Sequence, residues 1–96
     1  MNIFALSSGP GLSGIAVIRI SGSETARIIE LLTNKPLPKP RLATLRKINK
    51  INTSELIDEG IILWFPGPES YTGEDMAEIQ VHGSKAVIDA LHHNIS

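Results

Sequence analysis

Residues 15–20 read IAVIRI, and this stretch decides which fold the rest of the sequence must accommodate. It is rich in β-branched residues and is flanked by Gly14 and Gly22, a pattern that predicts a β-strand. Alternation along a strand places Ile15, Val17 and Arg19 on one face and the other three residues on the opposite face. The charged side chain of Arg19 therefore shares its face with two aliphatic side chains.

A helix is predicted directly after this strand, over residues 21–34. Its apolar residues recur at helical intervals, and Ser21 and Glu24 have the spacing of a capping box at its start. The helix is predicted to end near Asn34, because Pro36 and the prolines after it cannot continue a helix.

The remaining two thirds of the chain predict a hairpin, a further strand and a closing helix. The predicted elements are an extended linker at 36–41, strands at 42–48, 56–65 and 76–82, loops at 49–55 and 66–75, and a helix at 85–95. Gly83 and Ser84 separate the last strand from the last helix, and Ser84 is suited to cap it. This order predicts an α+β fold, a mixed or antiparallel sheet with helices packed on it. The length of 96 residues, 42% of them hydrophobic, suits a single domain with one core.

Charge and composition exclude several classes of protein. Nine Lys and Arg against ten Asp and Glu give a net charge of −1, which is not the footprint of a domain that binds nucleic acid by itself. We therefore expect any RNA role to be indirect or shared. The absence of cysteine excludes disulfides, thiolate metal sites and thiol nucleophiles within these residues. No apolar run approaches the ~20 residues that span a bilayer, so we expect a soluble protein.

Residues 9–14 read GPGLSG and match the spacing of a dinucleotide-binding loop. That loop must open a helix, whereas these glycines lead into the predicted strand at 15–20. A phosphate-binding loop would need Lys and Ser or Thr where Ile15 and Ala16 stand. The sequence therefore predicts no nucleotide site, and the glycines are interpreted as a turn between two strands.

Arg19 is the first candidate binding residue, because a guanidinium cannot lose its charge and needs a partner when it lies on an apolar face. The strand at 76–82 offers one, since Glu78 shares a strand face with Gln80 and His82. If both polar faces line one cavity, Arg19 and Glu78 form a donor and an acceptor in apolar walls, as a heterocyclic ligand requires. The alternative is an Arg–Glu pair that only holds two strands together. The spacing alone leaves both interpretations open.

Histidines and adjacent carboxylates give weaker signals. His82 is suited to be a base, a metal ligand or a residue satisfied by its neighbours, and the last is the commonest case. His92 and His93 are adjacent on the predicted helix and point apart, which argues against a shared metal site. Asp58 and Glu59 are adjacent rather than facing, so we interpret them as turn and edge charges.

Longer motifs identify a family. The segments GIAVIRISG, the KPR linker and DEGIILWFPGPESYTGEDMAEIQVHG stand in an order and at spacings that closely resemble the N-terminal domain of the MnmE (TrmE) tRNA-modification GTPase family. The resemblance covers essentially the whole chain. FPGPESYTGED followed by EIQVHG is far more specific than the glycine pattern at 9–14.

The resemblance implies a folate-binding α+β domain, similar to the tetrahydrofolate-binding domains of aminomethyltransferase-like proteins, that also forms a homodimer. The implied ligand is 5-formyl-tetrahydrofolate or a related one-carbon folate. The implied setting is a cytoplasmic protein without membrane contact that works with a MnmG (GidA)-type partner on the wobble uridine C5 of tRNA. GTP, magnesium and potassium belong to a GTPase domain absent from this chain. We accordingly expect residues 1–96 to be a C-terminally truncated fragment of a longer multidomain GTPase, and to be non-catalytic alone.

The resemblance also assigns the two candidate residues. The family's folate-contacting arginine in the strand before ISG falls on Arg19, and its contacting glutamate after TGED falls on Glu78. The loop at 9–14 departs from the family, which commonly has PPGRG there, so any contact made by that arginine is lost. The alternative function is a purely structural dimerisation domain without a competent folate site. An independent aminomethyltransferase-type enzyme is a third class, and no supported catalytic carboxylate points to it.

Overall fold

The computed structural model of the chain describes residues 3–6, 14–68, 70 and 73–95. Strands and helices follow one another in the order predicted from the sequence, with one further short strand at the start of the chain. The elements are β1 (Ile3–Leu6), β2 (Ile15–Ser21), α1 (Thr25–Thr33), β3 (Thr44–Asn49), β4 (Leu56–Phe65), β5 (Met76–His82) and α2 (Lys85–Ile95).

The strands form one five-stranded sheet with the order β1-β2-β5-β4-β3, in which every neighbouring pair is antiparallel. The β3–β4 hairpin is the one predicted from the sequence. Strand β5 is the central strand and lies between β2 and β4. An isolated parallel bridge joins Pro40 to Trp64 outside the named ladders. The predicted α+β class, with an antiparallel sheet and packed helices, is confirmed.

Both helices pack on one face of the sheet, which we call the inner face. Helix α1 contacts β3 and β5, and α2 contacts β4. Aliphatic side chains and one tryptophan fill the layer between sheet and helices, which removes their apolar surface from water. The buried core includes Ala16, Ile18, Ile20, Ile29, Leu32, Ile48, Ile62, Trp64, Ala77, Ile79, Val81 and Leu91.

The opposite side of the sheet, which we call the outer face, carries the side chains that alternate with this core. On β2 these include Ile15 and Arg19, which are exposed, and on β5 they include Glu78, Gln80 and His82. The predicted assignment of residues to the two faces of these strands is confirmed by their burial pattern. Every functional candidate on β2 and β5 therefore lies on the outer face.

The start of α1 differs from the prediction. Ser21 is the last residue of β2 and pairs with Met76, while Glu24 is the N-cap and makes no side-chain capping hydrogen bond. The predicted capping box is wrong because pairing with β5 extends the strand through Ser21. The predicted end is confirmed: Asn34 adopts the left-handed conformation (φ 54°), and its N–H donates to Glu30 O over 2.8 Å.

Helix α2 begins as predicted. The Ser84 Oγ accepts a hydrogen bond from the Val87 N–H over 3.1 Å, which satisfies one of the free donors at a helix start. The apolar side of the helix packs against the core through Val87, Ile88, Leu91 and Ile95.

The glycine-rich segment at 9–14 lies outside the described residues apart from Gly14, so the turn predicted there remains a prediction.

Among the helices in the described ranges, none is both long enough and apolar enough to span a membrane.

Candidate functional site

Arg19 and Glu78 are direct cross-strand partners at the centre of the sheet. The Arg19 Nε lies 3.3 Å from Glu78 Oε1, and the Arg19 Nη2 lies 3.2 Å from the same oxygen. The arginine side chain is 50% exposed and the glutamate side chain 15% exposed. The two residues singled out from the sequence therefore form an ion pair on the outer face, open to solvent on the arginine side.

The pair leaves hydrogen-bonding groups available. Both contacts from Arg19 converge on Oε1, and within the described part of the chain no hydrogen bond reaches Glu78 Oε2 or Arg19 Nη1. An ion pair with one half-exposed partner contributes only ~0–1 kcal/mol to the free energy of unfolding. A ligand can therefore engage the free atoms, or replace part of the pair, at small cost to the fold.

Apolar side chains surround the pair on the outer face. Leu63 of β4 is the register partner of Glu78 on one side, and Val17 of β2 pairs with Gln80 one step along the ladder. Leu63 and Val17 are both half-buried. The charged pair thus stands in a mainly aliphatic surface, the combination that orients a ligand carrying both a ring and charged groups.

A cleft of about 200 Å³ lies farther along the same side of the molecule. Aliphatic side chains from four strands form much of its wall, and Gln80 and His82 supply polar groups. Its lining residues are Ile15, Leu45, Glu59, Gly60, Ile61, Gln80, Val81 and His82. Ile15, Gln80 and His82 belong to the two strands that carry Arg19 and Glu78, so the cleft and the ion pair share one surface.

Close approach of two backbones shapes the end of this cleft. A Cβ on Gly60 would overlap the backbone carbonyl oxygen of Gln80, so only glycine fits at this position of β4. The β4–β5 ladder ends at the Ile61–Gln80 pair. Beyond it the Asp58 carboxylate continues the connection between the strands: its Oδ2 accepts the His82 N–H over 2.9 Å.

The same carboxylate contacts the His82 ring, with Nδ1 at 2.9 Å from Oδ1 and 3.0 Å from Oδ2. Asp58 is 13% exposed and the His82 side chain 74% exposed. Burial alone would raise the pKa of Asp58, but the hydrogen bonds from the backbone and ring of His82, and one from the backbone of Glu59, lower that pKa below its ordinary value. The ionised carboxylate therefore clamps the end of β5.

This pair settles two predictions. His82 is satisfied by a neighbour, as predicted. The interpretation of Asp58 as a turn or edge charge is wrong, because Asp58 lies within β4 and its carboxylate is mostly buried. Sequence spacing could not reveal this contact, which joins residues 24 positions apart and depends on how closely β4 and β5 approach.

The other histidines do not form a site. His92 and His93 are both exposed on α2. Over residues 3–6, 14–68, 70 and 73–95, no group of three or more metal-ligating side chains comes together. The outer face presents the guanidinium of Arg19, the carboxylate of Glu78 and the aliphatic side chains of Val17 and Leu63 near them.

Comparison with known proteins identifies the family of this α+β domain. The family described as the N-terminus of the GTP-binding protein TrmE matches residues 2–96. The chain therefore belongs to this family, as the sequence motifs predicted.

Named relatives agree with this assignment. The tRNA modification GTPase MnmE of Pelagibacter ubique is 77% identical over 96 residues, which are 100% of this chain and 22% of that protein. The tRNA modification GTPase MnmE of Zymomonas mobilis is 52% identical over 89 residues, 93% of this chain and 20% of that protein. A mitochondrial 5-taurinomethyluridine-tRNA synthase subunit of Danio rerio is 51% identical over 89 residues, 93% of this chain and 18% of that protein. The chain thus spans about a fifth of the length of these relatives.

Proposed function

We propose that this chain is the folate-binding and dimerising module of a tRNA-modification GTPase, and that it takes part in modifying C5 of the wobble uridine. The observation that carries the proposal is the Arg19–Glu78 pair, half-open to solvent in the aliphatic outer face beside a cleft. Family membership supplies the tRNA-modification setting, since relatives in this family are named as tRNA modification GTPases.

The groups of the pair fit a one-carbon folate such as 5-formyl-tetrahydrofolate. Glu78 Oε2 is free to accept hydrogen bonds from the amino-pyrimidine edge of a pterin, and Arg19 is a permanent charged donor for oxygen atoms of the ligand. The aliphatic side chains around them suit the flat faces of the ring. Bound in this way, the folate would supply the one-carbon chemistry, and the residues of this chain would bind and orient it.

The cleft is too small to enclose such a ligand by itself. Its volume is about 200 Å³, whereas ligand pockets usually hold about 300–1,000 Å³. Ile15 and Leu45 are also 57% and 58% exposed on this side of the sheet. A second copy of the chain laid against the outer face would bury these side chains and add walls to the site, which supports homodimerisation through this surface.

Isothermal titration of 5-formyl-tetrahydrofolate tests the binding part of the proposal. We expect saturable binding by the chain and at least tenfold weaker binding by Arg19→Ala or Glu78→Ala, because loss of one charged hydrogen bond costs about 1.4 kcal/mol or more. Arg27→Ala is the matched control, since Arg27 is an exposed arginine of α1 on the other side of the sheet. Affinities within a factor of two of wild type for both site variants would show that the pair does not bind folate.

Sedimentation equilibrium tests the dimer. Leu45→Asp introduces a charge into the outer face and is expected to weaken association at least tenfold. Leu42→Asp is the control, because Leu42 is similarly exposed, at 54%, but precedes β3. Equal association of both variants and the wild type would place the dimer contact elsewhere.

A purely structural dimerisation domain is the second candidate. The direct contact between Arg19 and Glu78 favours it, because a cross-strand ion pair can serve only to hold β2 and β5 in register. A wild-type chain that dimerises but does not bind folate would support this function instead.

The remaining functions belong to the longer proteins of the family. GTP binding, with its magnesium and potassium, contact with a MnmG-type partner and engagement of tRNA in the complex are proposed for the whole protein, together with a cytoplasmic location. We expect no GTP turnover from the purified chain. Hydrolysis above the background of a mock purification would contradict this.

A further inference from the structure

The charges of this chain are segregated along the sequence. Residues 35–50 contain six of the nine basic residues and no acidic residue, which leaves three basic and ten acidic residues elsewhere. The net charge of −1 therefore conceals a segment of +6 beside a remainder of −7. The basic residues of the segment are Lys35, Lys39, Arg41, Arg46, Lys47 and Lys50.

The fold lays most of this segment along one edge of the sheet. Strand β3 is the edge strand, in which Arg46 pairs with Gly60 and Lys47 with Glu59 of β4. The linker before β3 continues along the same side of β4: Pro40 bridges to Trp64, and the Arg41 N–H donates to Trp64 O over 2.8 Å. Between the partners Trp64 and Glu59 this edge runs for roughly 17 Å, at about 3.3 Å per residue. We call the line formed by Lys35, Lys39, Arg41, Arg46 and Lys47 the basic edge.

The cations at the basic edge face solvent. Lys35, Lys39, Arg41 and Lys47 are exposed, and Arg46 is half-buried. Three of them, Lys35, Arg46 and Lys47, line a single groove of about 410 Å³ together with Leu45 and Glu59. Glu59 is the acidic residue of that groove, so three positive charges face one negative charge there.

Arg46 gives a second indication of a ligand. Its Nη1 donates to Leu45 O over 3.1 Å, but its Nε is buried without a hydrogen-bond partner in the described part of the chain. A buried guanidinium donor without an acceptor is costly, and a phosphate oxygen that reached it would satisfy it. Lys50 stands apart from the basic edge because it pairs with Glu55 at 3.2 Å.

We propose that the basic edge binds the phosphate backbone of RNA. Lysine is depleted in protein–protein interfaces and supplies three of the five cations of the basic edge, so this edge suits a phosphate chain better than a folded protein. The choice of RNA among polyanions rests on the tRNA-modification function proposed above. The proposal revises the expectation, drawn from the net charge of −1, that this domain does not bind RNA by itself: residues 35–50 contain no acidic residue, and in the groove three cations face the single carboxylate of Glu59.

Fluorescence anisotropy with a fluorescein-labelled tRNA transcript, at salt concentrations between roughly 50 and 200 mM, tests this proposal. The test variant is Lys39→Gln/Lys47→Gln, which removes two exposed charges from the basic edge. The matched control is Arg27→Gln/Lys85→Gln, which removes two exposed charges from the helices. Circular dichroism melting curves establish that both variants are folded.

We expect the RNA affinity of the test variant at 0.1 M salt to fall about fivefold for each removed contact. Each phosphate contact contributes ~0.7–0.9 to the slope of log affinity against log salt concentration, so the loss of two contacts should reduce the magnitude of that slope by about 1.4–1.8. The control should bind as the wild type does. Equal weakening of both variants, or no RNA binding by the wild type, would overturn the proposal. Competition by polyglutamate at the same concentration as unlabelled RNA would also overturn the proposal, because it would indicate an acidic protein partner.

A parallel titration with 5-formyl-tetrahydrofolate separates this proposal from the function proposed above. Lys39 and Lys47 do not line the outer-face cleft, so folate binding should persist in the test variant. If the test variant loses RNA binding but keeps folate binding, the loss is due to the basic edge and not to the folate site. A wild type that binds folate but not RNA overturns this inference and leaves the folate module intact.

Discussion

Replacing Gly60 by alanine should destabilise the sheet at a point where the backbones of β4 and β5 approach closely. A Cβ at this position would overlap the Gln80 carbonyl oxygen and lie 3.1 Å from Val81 Cγ1. The first of these atoms is backbone and cannot rotate away, so β4 and β5 must move apart. That shift disturbs both the Ile61–Gln80 pair and the Asp58 clamp on His82 that follows it.

The size of the effect follows from this geometry. Overpacking in a close-packed interior costs about 1–3 kcal/mol, and weakening of the adjacent hydrogen bonds adds to it, so we expect a loss of about 3 kcal/mol. A domain of this size has only about 5–15 kcal/mol of stability. At 4–8 °C per kcal/mol, the melting temperature should fall by about 12–24 °C.

Urea and thermal unfolding followed by the fluorescence of Trp64 measure this loss directly. Trp64 is the single tryptophan and is buried in the core, so its emission reports on the packing of the whole sheet. Gly14→Ala is the control, because in the described part of the chain no atom lies within 4 Å of a Cβ placed there. A Gly60→Ala variant within 0.5 kcal/mol of wild type, the usual range of surface changes, would refute the argument from close approach.

Three further predictions concern single contacts. Asp58→Asn should reduce the difference in stability between neutral and acid pH. The pKa of Asp58 is lowered in the folded state, so its ionised carboxylate stabilises the fold above the unfolded pKa of about 3.9, and this stabilisation is lost as the pH falls through the folded pKa. Urea midpoints at pH 7 and near pH 3 should therefore differ less in the variant than in wild type, and equal differences would contradict the role of the His82 contact. Ser84→Ala should cost about 1 kcal/mol in thermal unfolding by removing the acceptor of the Val87 N–H, and Ser84→Gly only a few tenths. Asn34→Ala should cost about 1–2 kcal/mol more than Asn34→Gly, because only glycine takes the left-handed conformation without strain, and equal melting temperatures would contradict this.

The fold was largely predictable because strand-favouring residues, turn residues and helical periodicity agree along the chain. They predicted the strands at 56–65 and 76–82 with the bounds that β4 and β5 have, and the helix at 85–95 coincides with α2. The start of α1 was predicted wrongly, because Ser21 carries a capping signal that pairing with Met76 overrides. A local pattern cannot report whether a neighbouring strand extends to that residue.

The candidate site was predictable only in part. Alternation identified the faces of Arg19 and Glu78, but their direct contact depends on the register of β2 against β5, and a slip of one residue would separate them. The Asp58 clamp was missed because it depends on the backbone approach at Gly60. The basic edge was missed because a net charge sums over residues that the fold keeps apart.

Titration of 5-formyl-tetrahydrofolate into a charge-swapped variant, Arg19→Glu/Glu78→Arg, distinguishes folate binding by this pair from a purely structural role. The swap preserves a cross-strand ion pair and should leave the melting temperature close to that of the wild type, because the two positions are direct partners on a partly exposed face. If the pair binds folate, the affinity should fall at least tenfold in this folded variant, since donor and acceptor have exchanged places. Folate affinity within a factor of two of wild type would contradict it and leave the pair with a structural role only.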